Sequence, residues 1–259
     1  MSRYSIQELF SLRGKVALVT GGSRGIGEMI TRGFIAAGAK VYIASRKAGA
    51  CDAIAKELSK QGECIALPTD LSTEEGCKAL AAATAEREPE LQILVNNAGN
   101  AWGAPLEEYD EKAWERILSL NVKGVFHLTR ELADLLRKGA RPGDPARVIN
   151  LGSMDALHVP HYETYAYSAS KAAVHHMTRV LAKKLGREGV TVNAIAPGFF
   201  PTKMTKWLIE NDKENMIARC PLGRLGEPED VAAAAIYLAS RGGAYVNGEV
   251  IRVDGGTIL

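Results

Sequence analysis

Lys15-Val16-Ala17-Leu18-Val19-Thr20-Gly21-Gly22-Ser23-Arg24-Gly25-Ile26-Gly27 sets an apolar, β-branched run directly against a glycine-rich turn. A half-exposed strand alternates and this run does not, so it reads as a strand buried on both faces. Beyond the turn, Met29-Ile30 and Phe34-Ile35 recur at helical spacing up to Gly38, which predicts a helix starting inside the turn. Glycines at such a junction let the backbone turn tightly and approach a diphosphate, whose charge is favoured by free N–H groups at a helix start. Gly21, Ser23, Arg24, Gly25, Ile26 and Gly27 are therefore candidate dinucleotide-binding residues.

The next strand, residues 40–44, runs into Ser45-Arg46-Lys47. An NAD site usually carries an acid here for the ribose 2′-hydroxyl. No carboxylate is present, whereas Arg46 can bind a 2′-phosphate and Arg24 can reach it from the turn, so NADP(H) is expected over NAD. A βα rhythm then continues, with helix 48–60, strand 64–67, helix 73–88 and strand 92–95, and this alternation argues for a parallel sheet covered on both faces. Asp70-Leu71 is placed to meet an adenine ring; equally, Asp70 with Ser72 only caps the following helix. Asn97, Ala98 and Gly99 offer small residues where open α/β sheets bind ligands, beyond the carboxyl ends of the strands.

A long helix is expected over 110–138, its apolar series interrupted by Asn121, for which a backbone-bonding role and a proton-relay role are both open. Residues 137–145 read as a loop, and strand 147–151 delivers Gly152 and Ser153 to the same edge. In Tyr167-Ser168-Ala169-Ser170-Lys171, the tyrosine and lysine stand at i and i+4 of a helix and project together. A fixed ammonium favours phenolate, so Lys171 is expected to lower the pKa of Tyr167 and make it a better acid and base near neutral pH. Ser153 then holds a carbonyl oxygen beside it. Strand 190–195 ends at Ala196-Pro197-Gly198. Residues of about 200–225, with Met204, Trp207, Leu208 and Ile209, have the look of a mobile apolar lid; equally, such a segment is simple surface packing. His158 and His161 are read as pocket-lining or exposed, and no histidine or cysteine spacing supports a metal site.

The whole chain bounds these readings. With 259 residues, 46% of them hydrophobic, a single domain spanning 1–259 is expected. The 32 basic and 30 acidic residues leave a formal +2, no field for holding nucleic acid or an anionic membrane. The four cysteines form no ligand or disulfide framework and, with no signal peptide or membrane-spanning stretch, a soluble cytoplasmic protein is expected.

Taken together, the motifs resemble the short-chain dehydrogenase/reductase family, over about residue 13 to the C-terminus. They are Thr20-Gly-Gly-Ser-Arg-Gly-Ile-Gly27, Asn96-Asn-Ala-Gly99, Asn121, Ser153, Tyr167-Ser-Ala-Ser-Lys171, Pro197-Gly198 and the run from Pro221 to Val231. The resemblance implies an α/β fold, a single Rossmann-type doubly wound domain with a seven-stranded parallel sheet, and commonly a homotetramer. It implies Tyr167 as acid/base, Lys171 on the nicotinamide ribose, Ser153 on the substrate oxygen and Asn121 in a water relay. Ser45, Arg46, Asp70, Leu71, Asn97, Ala98, Gly99, Pro197, Gly198, Phe200 and Thr202 would contact the cofactor. Within the family the sequence is similar to NADP-dependent 3-oxoacyl reductases of the rhamnolipid type. An oxidoreductase acting on a small carbonyl or alcohol substrate is expected, the alternatives being a dehydrogenase of a sugar, steroid or xenobiotic alcohol, or a non-catalytic NADP sensor.

Overall fold

The computed structural model describes residues 4–259. In chain order its elements are α1 (Ile6–Phe10), β1 (Val16–Thr20), α2 (Gly25–Ala36), β2 (Lys40–Ala44), α3 (Ala48–Leu58), β3 (Cys64–Ala66), α4 (Glu74–Ala85) and β4 (Ile93–Asn96). They continue with α5 (Glu111–Leu118), α6 (Val125–Glu131), α7 (Ala133–Gly139), β5 (Ala146–Leu151), α8 (Tyr165–Leu185), β6 (Val190–Pro197), α9 (Lys206–Ala218), α10 (Pro228–Ala239) and β7 (Val250–Val253).

The strands form one seven-stranded sheet in the order β3-β2-β1-β4-β5-β6-β7, and every neighbouring pair is parallel. Period-two alternation sorts the strand side chains. Ala17, Val19, Val41, Ile43, Ile93 and Val95 point to one face, where α2, α3 and α10 cover them. Leu18, Tyr42, Leu94 and Val148 point to the other, beneath α4, α6, α7 and α8. Both faces are dry, which is why the strands lack the polar alternation of a solvated sheet. Truncating one such buried Leu or Ile to alanine costs about 2–5 kcal/mol, so the strand ends are rigid supports for whatever the loops carry.

Chain order reverses between β1 and β4: the first three strands run outward to one side and the rest to the other. A crevice opens at such a reversal, at the carboxyl ends of the strands. Thr20, Ala44, Asn96, Leu151 and Pro197 end their strands on that edge.

Helix starts follow local chemistry. Thr73 caps α4 by accepting from the Gly76 N–H, Asp110 caps α5 by accepting from the Ala113 N–H, and Pro228 opens α10 behind a Glu227/Asp230 capping box. The start of α2 at Arg24 has no side-chain cap.

The long helix expected over 110–138 is not continuous. A π turn at Ser119–Gly124 separates α5 from α6, and Leu132 marks the break before α7. The cause is Asn121, whose buried amide takes backbone and hydroxyl partners across the turn (below); wider π turns often occur at functional positions. The segment read as a loop from 137 is helical to Gly139, and β6 runs two residues further than expected, to Pro197. Among the described residues no helix is long and apolar enough to cross a membrane.

Candidate functional site

The crevice is tied together by β1 and β4. The Thr20 hydroxyl donates to the Val95 carbonyl (3.1 Å) and accepts from the Asn97 N–H (2.9 Å) and the Ala98 N–H (3.0 Å). The Asn97 amide donates back to the Thr20 carbonyl (2.8 Å). The glycines fit this closeness. Gly21 has φ +65°, and a Cβ there would lie 2.6 Å from Asn97 Nδ2; a Cβ on Gly27 would lie 2.3 Å from the Gly21 carbonyl oxygen. The uncapped first turn of α2 thus faces a cradle of bare backbone N–H groups, a setting suited to a diphosphate. Ser23 donates to Ser45 (3.0 Å), joining the glycine turn to the end of β2. Arg24 and Arg46 stand exposed nearby, and among the described residues neither is engaged in an ion pair.

One cleft of about 1980 Å³ collects the sequence candidates Gly21, Ser23, Arg24, Gly25, Ile26, Ser45, Arg46, Leu71, Asn97, Ala98 and Gly99 on its wall, with Ser153, Tyr167, Lys171, Pro197, Gly198, Phe200 and Thr202. Typical small-ligand pockets span about 300–1,000 Å³, so this one has room for a dinucleotide and a second molecule.

Three expected residues are not on that wall. Gly27 lies behind it, packed on Gly21. Asp70 turns its carboxylate onto the Ser72 N–H (3.0 Å) and hydroxyl (2.8 Å), while Thr73 caps α4, so the cap reading of Asp70 is replaced by a local turn. Asn121 is buried: its Oδ1 accepts from the Asn100 N–H (2.9 Å), and its Nδ2 donates to the Asn100 carbonyl (2.9 Å) and to Ser170 Oγ (3.0 Å). It clamps the loop after β4 to α8.

Lys171 donates to the Leu151 carbonyl (2.7 Å), fixing α8 to the end of β5. Its ammonium lies 5.7 Å from the centre of the Tyr167 ring, so the two side chains do share a face. The expected electrostatic consequence is not what the site shows. Burial pushes Tyr167 up to about 12, with hydrogen bonding from Ser153 opposing and the Asp155 carboxylate adding to the rise. Burial also brings Lys171 down to about 8. Loss of hydration penalises both charged forms, and it outweighs an ammonium already engaged by a backbone carbonyl. At neutral pH Tyr167 is therefore held as the protonated phenol.

Ser153 is set by the end of β5 and by a short helical turn, Met154–Ala156, whose Asp155 N–H donates to Ser153 Oγ (3.1 Å). Gly152 before it lies on the His175 ring, where a Cβ would come within 1.9 Å of Nε2. His158 and His161 both line the cleft. So do residues that the sequence reading passed over, Trp102, Asp155, Val159 and Tyr162. Asp155 pairs with His158 (3.3 Å) and its carboxyl is raised above the usual range by burial. Its place two residues after Ser153 was the available signal. Tyr162 donates to Asp212 (2.6 Å), linking the loop before α8 to α9, which kinks at Asp212.

A family model described as enoyl-(acyl carrier protein) reductase matches residues 21–257. The rhamnolipids biosynthesis 3-oxoacyl-(acyl-carrier-protein) reductase of Pseudomonas aeruginosa is 50% identical over 250 residues, 95% of this chain and 97% of its own. Galactitol 2-dehydrogenase (L-tagatose-forming) of Cereibacter sphaeroides is 40% identical over 255 residues, 96% of each chain. Among solved structures, the Pseudomonas aeruginosa RhlG/NADP active-site complex matches with TM-score 0.94 and 49% identity, over 97% of this chain and 99% of that one.

Proposed function

The chain belongs to the short-chain dehydrogenase/reductase family, and from that membership we propose that it is an NADPH-dependent reductase of a 3-oxoacyl ketone. The observation that carries the reading is the gathering of Ser153, Tyr167 and Lys171 on the wall of the cleft that also holds the glycine cradle. Gly21, Gly25 and Ile26 with the open start of α2 would hold the diphosphate, and Arg24, Ser45 and Arg46 the 2′-phosphate. Gly99, Pro197, Gly198, Phe200 and Thr202 would border the rest of the cofactor. When bound, NADPH supplies the hydride.

The protein residues do the remaining work. Ser153 donates a hydrogen bond to the carbonyl oxygen and stabilises the charge that develops there. Tyr167 passes its phenolic proton to the same oxygen, and burial keeps that proton in place until it is needed. Lys171 presents a cation beside the ring, and Asn121 acts through position, by holding Asn100 and Ser170. The P. aeruginosa relatives, one named a 3-oxoacyl reductase and one titled as an NADP complex, support the substrate and cofactor assignments.

A second reading is oxidation of a polyol. It draws on the galactitol dehydrogenase relative and on the polar Asp155–His158 pair at the wall. NADPH consumption with 3-oxoacyl thioesters, set against NAD(P)⁺ reduction with galactitol, separates the two. Turnover of the thioesters with NADPH is expected. Activity on the polyol alone would overturn the reductase reading in favour of the second.

A further inference from the structure

The helix that carries Tyr167 and Lys171 starts without a cap from its own N-cap residue. Thr164 makes no side-chain hydrogen bond to the first turn of α8; its hydroxyl is paired with that of Ser168 instead (3.0 Å). The N–H groups of a first turn have no partner inside the helix. Here that turn opens with Tyr165, Ala166 and Tyr167, so the uncapped turn is the one that holds the proton donor.

A partner comes from a distant part of the chain. The Ala166 N–H donates to the Tyr109 hydroxyl (3.2 Å), 57 residues away, and that hydroxyl donates in turn to the Trp102 carbonyl (3.4 Å) in the loop after β4. Tyr109 is fixed by its ring, which stands edge-on to Trp114 of α5 (centres 6.0 Å apart, 67° between planes) and to Tyr165 (5.3 Å, 88°). Burial raises its pKa above the usual tyrosine value, so the hydroxyl keeps its proton and accepts and donates at once. The backbone closes the same seam: the Ala104 N–H donates to the Glu163 carbonyl (3.2 Å), and a Cβ on Gly103 would lie 3.1 Å from that oxygen.

We infer that Tyr109 is a positioning residue for the reaction: its hydroxyl caps the first turn of α8 and thereby fixes where the Tyr167 phenol stands relative to Ser153 and the substrate oxygen. This rests on the reductase reading above and adds to it a residue that is not on the cleft wall. Losing a side-chain cap shifts the population of a formed helix start by about 2- to 30-fold. A donor displaced in this way slows the chemical step and leaves cofactor binding alone.

The test is Tyr109→Phe, which deletes one oxygen and keeps the ring between Trp114 and Tyr165. With NADPH and 3-oxobutanoyl N-acetylcysteamine thioester, kcat is expected to fall about 2- to 30-fold while the KM for NADPH is unchanged. The isotope effect on kcat from NADPH deuterated at the transferring position should rise, because chemistry slows relative to release. Amide hydrogen exchange, read by mass spectrometry, should quicken in a peptide spanning residues 163–169, and NADPH titration verifies that the variant is folded. An unchanged kcat and isotope effect, even beside a lower melting temperature, leaves Tyr109 a structural cap; that result overturns the inference and leaves the reductase reading standing. A fall in kcat without faster exchange over 163–169 also overturns it. A parent protein inert towards 3-oxoacyl thioesters overturns the reductase reading and the inference with it.

Discussion

At Tyr167 two opposite demands meet: proton donation to a ketone needs the phenol, and alcohol oxidation needs the phenolate. Burial and Asp155 both favour the phenol. Replacing Asp155 by asparagine removes an anion that opposes ionisation, so Tyr167 should ionise at lower pH. Asp155→Asn is expected to speed alcohol oxidation at a fixed pH and to move its alkaline rise to lower pH, as read from a pH profile of kcat/KM; an unmoved profile would detach Asp155 from Tyr167. Deeper in the same helix, His175 is buried with neither ring nitrogen hydrogen-bonded among the described residues. Burial, with the charges of Lys171 and Arg179, brings its pKa from 6.5 down to about 4. Between those values the unfolded chain binds the proton and the folded chain does not, so stability falls as pH drops from 6.5 towards 4. Discounted for solvent screening, the full effect is about 1–3 kcal/mol. His175→Leu should flatten the stability profile measured by urea unfolding across that window, and an unchanged acid slope would count against it.

At the scale of elements, the short apolar runs and the glycine turn declare themselves in sequence because a buried parallel strand needs an unbroken β-branched run and a tight turn needs glycine. The break in the helix after Asp110 was less readable. Apolar spacing continues straight through Ser119–Gly124, and the π turn is imposed from outside by the partners of Asn121, Asn100 and Ser170, which lie 21 and 49 residues away in the chain. Arg147 was hidden for a similar reason. It reads as an ordinary strand residue, yet it is fully buried, donating to the Leu238 and Ser240 carbonyls and pairing with Asp144 to fasten α10 beneath the sheet. The stabilisation from such ties is testable at Asn121. Asn121→Ala leaves the Asn100 backbone and Ser170 without their partner, an expected loss of about 2–4 kcal/mol. Thermal and urea unfolding measure it, and a variant within about 0.5 kcal/mol of the parent, the range of ordinary surface changes, would show that the clamp is dispensable.

Across the whole molecule, the glycine turn, Ser45, Asn97, Ser153 and Pro197 lie at the carboxyl ends of parallel strands on one edge of the sheet, and α8 brings Tyr167 and Lys171 to the same cleft. That much of the site was legible, residue by residue, from motifs lying just after apolar runs. The substrate side was less so: Trp102, Asp155 and Val159 sit in loops whose convergence depends on the fold and not on any local pattern. On the cofactor side, Arg24 and Arg46 have no carboxylate to neutralise them among the described residues. A charge-assisted contact is worth about 1.5–3 kcal/mol. Arg46→Ala and Arg24→Ala should each weaken NADPH binding by about 10- to 100-fold and leave NADH binding nearly unchanged, as measured by fluorescence titration; equal losses for both cofactors would remove the arginines from 2′-phosphate recognition.

In the proposed reduction a neutral Tyr167 hands its proton to the ketone oxygen, and NADPH, when bound, would supply the hydride. Mass spectrometry of the hydroxy product formed from NADPH deuterated at the transferring position tests it in the parent protein and in Tyr167→Phe. One deuterium on the former carbonyl carbon is expected with the parent, and a rate lower by about 10²- to 10⁴-fold in the variant while its affinity for NADPH is retained. Labelled product formed by Tyr167→Phe at close to the parent's rate would contradict it.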